Sequence, residues 1–247
     1  MIKNAWIIAT KDIREVLRSR TTYLYMGLMM FIAFSFFTGL SGTLNSASRR
    51  GVGTAALIST SETAVGILIS TLPLVFNMLF SSQLSNYAVI TDKSKRVLES
   101  LLATPLSLRQ VWAGKSLAIT LPSITVSFVL SVIALVLLNI LFIIPVVGRF
   151  VMPAPAQIIT GFVLVPVISF LVTLVVTMFQ LILNNPRMAN FAFMVLFLAV
   201  FWIPNAPGTS SLNMTTIYLI LIGILIILIL FLSRFLTKER VILSSKG

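Results

Sequence analysis

Five stretches of this chain carry no Asp, Glu, Lys or Arg: residues 21–48, 63–91, 116–148, 150–186 and 188–233. A helix needs about 20 apolar residues to cross a bilayer, and a charge at its centre costs roughly 2.5–3.5 kcal/mol on insertion. The first four stretches each hold one crossing. The last is too long for one and is interrupted by Pro204-Asn205-Ala206-Pro207-Gly208, a cluster of helix breakers. Six transmembrane helices are therefore predicted, at about 23–40, 64–90, 115–143, 156–183, 185–203 and 214–235. Only 10% of the 247 residues are charged, against about 25% in soluble domains. The expected fold class is an all-α integral membrane protein.

Orientation follows from the basic residues. With the N-terminus inside, the segments 1–22, 91–115, 184–189 and 234–247 hold fifteen of the 18 Lys and Arg. Arg49, Arg50 and Arg149 fall outside. That split is the positive-inside pattern, so both termini are expected in the cytoplasm and the +12 net charge reads as topology rather than nucleic-acid binding. The first apolar stretch follows 20 residues of charged chain and has no small-residue cleavage pattern, so no cleaved signal peptide is expected. The stretch 41–63, rich in Gly, Ser and Thr, reads as the longest outside loop.

The chain has no His and no Cys. That excludes Cys or His zinc ligation, thiolate clusters, disulfides and His-based nucleophilic triads. No charged residue is expected deep in a span, which argues against a proton relay. Ala113-Gly114-Lys115-Ser116 ends like a P-loop. The Gly that such a loop needs five residues before Gly114 is replaced by Arg109, and the context is the start of a membrane helix. The chain is not expected to bind ATP itself.

Three cytoplasmic pieces carry information. Residues 1–20 form an amphipathic helix: Ile2, Ala5, Trp6, Ala9, Ile13, Val16 and Leu17 make a 3.6-residue stripe, with Lys3, Lys11, Arg14, Glu15 and Arg18 off it. Such a helix is expected to float at the inner leaflet with Trp6 in the interface. In 91–105, Thr91 or Asp92 can cap a short helix whose one face holds Val97, Leu98, Leu101 and Leu102, and which Pro105 ends. A two-faced helix of that kind suits insertion into a cleft of another protein. Ser107 and Gln110 then form a capping box that opens the third span.

The segment from Arg96 to Leu117 resembles the first cytoplasmic loop of ABC-2 type exporter permeases: a basic stretch, then Glu99, Leu101, Leu102, Thr104 and Pro105, then Gly114 and Lys115 entering the next helix. Where that family usually has Gly-Thr before the Glu, this chain has Val97-Leu98. Lys11-Asp12, Arg14 and Arg18-Ser19-Arg20 resemble the family's opening amphipathic helix. The resemblance implies a single transmembrane domain over 1–247, with an amphipathic helix at 1–20 and a coupling helix at 91–105. It implies a dimer with a second permease copy or homologue, and cytoplasmic ATPase subunits that hold ATP and Mg. No cofactor is expected on this chain. By the same resemblance Asp92, Lys95, Arg96, Glu99, Leu101, Leu102 and Pro105 couple to the ATPase, with Glu99 the key polar contact. The expected location is the plasma membrane of a prokaryote, as a multi-pass protein.

Candidate path-lining residues are Asn77 in the second span and Phe193, Phe197 and Phe201, spaced i, i+4, i+8, in the fifth. Each has a plainer reading. Asn77 can hydrogen-bond a neighbouring helix, worth about 0.6–2 kcal/mol in membranes, and an aromatic stripe can pack on a neighbour or on lipid. Pro73, Pro122 and Pro166 predict kinks. Asn213-Met214-Thr215 matches a glycosylation sequon next to the sixth span. Two rival functions stay open: a self-sufficient secondary transporter or channel, and a membrane assembly or scaffold subunit.

Overall fold

The computed structural model describes residues 2–49, 54–95, 107–183 and 214–234, with scattered positions in 97–100 and 188–200. Among the described residues the chain is helical and contains no strand. The helices are α1 (Ile2–Arg18), α2 (Arg20–Arg49), α3 (Thr54–Ser85), α4 (Thr91–Ser94), α5 (Leu108–Leu138), α6 (Ile144–Val147), α7 (Pro155–Ile159), α8 (Val165–Ile182) and α9 (Met214–Ser233). Wider π turns at Asn86–Ile90, Asn139–Ile143 and Thr160–Leu164 join α3 to α4, α5 to α6 and α7 to α8.

Among the described residues, four continuous helical stretches are long and apolar enough to cross a membrane: Ala56–Lys93, Leu108–Val147, Pro155–Ile182 and Thr215–Ser233. They match the second, third, fourth and sixth expected spans. The first falls within α2, whose apolar stretch Thr22–Phe31 is shorter. Most of the fifth, 185–203, lies outside the described residues.

Two boundaries differ from expectation. The stretch 41–63 is not a long loop, because α2 runs to Arg49 and α3 starts at Thr54. The hydroxyls that signalled a loop turn back on their own helix. Ser59 and Thr60 donate to Ala56 O and Thr63 to Ser59 O, which satisfies them without breaking the turn. Nor does Thr91 or Asp92 begin a separate capped helix. Ile90 and Thr91 keep right-handed helical angles, so α3 runs through the π turn into α4.

The bundle is built around α3, α5 and α8, with α2 against α3, α9 against α8 and α1 against α5. The crossing in α3 is 72% buried and that in α9 is 22%, which puts α3 at the centre and α9 at the rim. One apolar cluster joins Met29 of α2, Leu68, Leu72, Phe76 and Phe80 of α3, and Ile119 and Leu130 of α5. A second joins Leu74 and Met78 of α3, Ile168, Val172 and Val176 of α8, and Tyr218 and Leu221 of α9. Phe31, Val129, Ile227 and Leu230 point outward and stay exposed, as suits a surface whose solvent is hydrocarbon.

Lipid offers apolar side chains the same environment as a neighbouring helix, so close approach and polar contacts must hold the bundle. Helix α5 presents Ser116, Thr120, Ser123, Ser127 and Ser131, all buried. Small side chains at this spacing let α3 and α8 approach. Thr120, Ser123 and Ser131 donate to the carbonyls of Ser116, Ile119 and Ser127, so little polar demand is left over. Gly161 marks a close backbone approach: a Cβ there would overlap the carbonyl oxygen of Ile69. The backbone of α3 thus crosses the third π turn almost in contact.

Candidate functional site

The most concentrated chemistry lies at one end of the bundle, around Lys115. The capping box holds as expected: Gln110 N donates to Ser107 Oγ and Ser107 N to Gln110 Oε1. The helix therefore starts at Leu108, and Lys115 sits two turns inside it rather than at its mouth. Its side chain is fully buried. A lone buried ammonium would be prohibitively costly, so it must be paired. Lys115 Nζ donates to Asp12 Oδ2 at 3.0 Å, Asp92 Oδ2 at 2.6 Å and Ala88 O at 2.6 Å. An ammonium has three donors, and all three are used. One side chain thereby ties α1, the first π turn and α4 to α5.

Two carboxylates face one ammonium, so the cluster carries an excess negative charge when all three groups are ionised. Burial raises the Asp12 carboxyl above its ordinary 3.8. Lys115 and, more weakly, Lys11 pull it down, while Asp92 adds to the rise. Desolvation outweighs the pairing, the usual balance for an ion pair taken out of water.

Lys93, the next residue after Asp92, reaches the opposite way. Its Nζ donates to Leu183 O at 2.6 Å and Gln180 O at 3.2 Å. Carbonyls at a helix C-terminus have no partner within the helix, and a cation there complements the helix dipole. Ser85 adds a 2.5 Å bond to Gln180 Oε1. Further in, Trp112 Nε1 donates to Leu174 O and Thr177 Oγ1, both at 3.1 Å, joining α5 to α8. The start of the segment after α3 is thus bolted on one side to α5, whose Lys115 also holds α1, and on the other to α8.

Helix α1 is amphipathic as expected, but it is docked on α5 rather than floating. Ala9 and Asp12 are buried against the bundle while Trp6 and Ile7 stay exposed. A helix held by the leaflet alone would not bury a carboxylate; Lys115 explains the docking.

Of the expected coupling residues, Asp92 lies in this cluster, and Lys95 ends α4 with an exposed side chain. Arg96, Glu99, Leu101, Leu102 and Pro105 lie outside the described residues, as do Phe193, Phe197, Phe201 and Asn213. Asn77 is buried between α3 and α5; its amide donates to Ser127 Oγ at 3.4 Å and it accepts from Ser81 Oγ at 3.3 Å. At the far end of the bundle Glu62 and Arg149 pair at 3.3 Å, both half-exposed. Among the described residues no group of three or more carboxylates forms a metal site.

Sequence reasoning missed Asp12 as a buried partner, Lys115 as a node and Lys93 as a cap. One signal was present. The capping box at Ser107 put Lys115 two turns inside an apolar helix, and the chain has only six acidic residues to answer it. No family model matches the sequence, and no characterised protein matches it.

Proposed function

We propose that this chain is the permease subunit of an ATP-driven exporter of the ABC-2 type. In this reading it crosses the plasma membrane of a prokaryote six times, with both termini in the cytoplasm. It pairs with a second copy or a homologue and is driven by separate ATPase subunits that hold ATP and Mg. ATP binding closes the ATPase pair, the segment 91–105 is pushed, and the helices rock to move a hydrophobic or amphipathic cargo outward.

The observation that carries the reading is the Lys115 node. A segment that receives a push must be joined to the helices it moves; Asp92 and Lys93 join the start of 91–105 to α5 and α8, and α1 is held on the same Lys115. The motif from Arg96 to Leu117 supplies the expectation of an ATPase surface beneath it. A mild-detergent pull-down from native membranes, with the recovered proteins identified by mass, tests the reading. A stoichiometric ATPase chain that is lost in Glu99→Arg is the expected result. Recovery of the intact chain with no ATPase, under conditions that keep known complexes together, overturns it in favour of a self-sufficient transporter or channel, or a scaffold subunit.

A further inference from the structure

The three π turns differ in cause. Proline lacks the N–H that would bond the carbonyl four residues back. Pro145 follows the turn at Asn139–Ile143 and Pro166 follows that at Thr160–Leu164, so a missing N–H sits beside each of those two widenings, whereas Pro73 and Pro122 lie in regular α-helix. No proline follows Asn86–Ile90; the next residues are Thr91 and Asp92. Tertiary contacts instead hold this turn open. Ala88 O accepts from Lys115, Asp92 pairs with Lys115, and Lys93 caps α8. The turn also leaves a loose end: Asn86 Oδ1 is buried with no hydrogen-bond partner among the described residues, a cost that native structures seldom leave unanswered.

Geometry sets what happens if the turn tightens. A π turn accommodates one extra residue, and one residue of α-helix is a rotation of about 100° and a rise of about 1.5 Å. Closing Asn86–Ile90 into α register without removing a residue therefore swings α4 by about a quarter turn. Asp92 leaves Lys115 and Lys93 leaves the end of α8 in the same movement, because the two residues are adjacent on one rigid helix. The contacts of Asp92 and Lys93 are therefore made together or lost together.

We propose that the π turn at Asn86–Ile90 is a moving joint with two registers, and that Lys115 is the positioning residue that bolts it in the π register. In the α register Lys115 of α5 and the end of α8 are released from α4 together. This deepens the permease reading, which supplies the push that would turn the joint; the existence of two registers does not depend on that reading.

The test uses the absence of native cysteine. Ala9→Cys places a thiol in the buried contact between α1 and α5, and Leu181→Cys places one near the end of α8; both wild-type side chains are buried. Each single-cysteine chain, in native-lipid nanodiscs, is labelled with a membrane-impermeant methanethiosulfonate. Deleting Tyr87 removes the extra residue while leaving α4 facing as it does now, so it locks the joint in the docked arrangement. The deletion is expected to slow labelling at Leu181→Cys by about tenfold, since it removes the opening that exposes that position. Lys115→Met is expected to speed labelling at Ala9→Cys.

Unchanged or faster labelling at Leu181→Cys in the Tyr87 deletion overturns the proposal. Hydrogen exchange on the unmodified chain tests it without any variant. Amides 86–95 should exchange together, and faster than those of 66–84; equal protection across both stretches overturns the joint. Neither measurement involves ATP or a partner, so a failed pull-down leaves the joint standing, and a fixed joint leaves the pull-down unaffected.

Discussion

Replacing Lys115 with Met isolates the charge at the node, because Met retains much of the stem's bulk. The ammonium accounts for two ion pairs at 3.0 and 2.6 Å and a third bond to Ala88 O at 2.6 Å. Its loss leaves the carboxylate of Asp12 buried and that of Asp92 largely so, facing each other without a cation. Breaking a buried pair by removing one partner costs about 3–5 kcal/mol. At about 2–4 °C per kcal/mol for a domain of 150–250 residues, the melting temperature should fall by about 6–20 °C. The assay is thermal unfolding in detergent, followed by light scattering and by emission from Trp112, which packs one turn from the node. The neutral variant Asp12→Asn/Asp92→Asn/Lys115→Met removes all three charges together and should recover most of the loss, since a buried charge cluster is often replaceable by neutral groups at little net cost. A fall of less than about 3 °C for Lys115→Met, at most about 1.5 kcal/mol on that scale, refutes the claim that Lys115 holds α1 and α4. So does a triple variant less stable than Lys115→Met alone.

Three other outcomes are expected. Gly161→Ala forces a Cβ into the carbonyl of Ile69 and should destabilise by about 1–3 kcal/mol, while Gly39→Ala, with open space around it, should cost nothing measurable in the same melting assay. The raised Asp12 carboxyl fixes the sign of a pH effect: its contribution is full below 3.8 and is lost as pH rises through the raised value. The melting temperature of wild type minus that of Asp12→Asn should therefore fall as pH rises from about 4; a difference that grows over that range contradicts the burial argument. Glu62→Gln should change stability by less than about 1 kcal/mol, because the pair with Arg149 is exposed, and a larger loss would show a buried role for that end of the bundle.

Helix placement was legible in the sequence where charge-free length decides it, as for α5, α8 and α9. The stretch 41–63 misled because Ser and Thr favour loops through local hydrogen bonds, and the same bonds run equally well to carbonyls within a helix in apolar surroundings. The start of α5 was legible from Ser107 and Gln110, whose cap is purely local. The node was not, although its members stood in plain view. Asp12, Asp92 and Lys115 lie far apart in sequence, and only the docking of α1 on α5 and the widening at Asn86–Ile90 bring them together. Neither is a property of local spacing. The two other π turns have Pro145 and Pro166 beside them, whereas the one beside the node is held by the contacts it makes possible.

The proposed permease puts a separate ATPase against 91–105, where it drives the helices joined to that segment. A photo-crosslinking amino acid at position 99, irradiated in native membranes, reports that neighbour directly. A crosslink to a soluble nucleotide-binding chain is expected. Crosslinks only to lipid or to other membrane-spanning chains, at full expression of the folded protein, would contradict it.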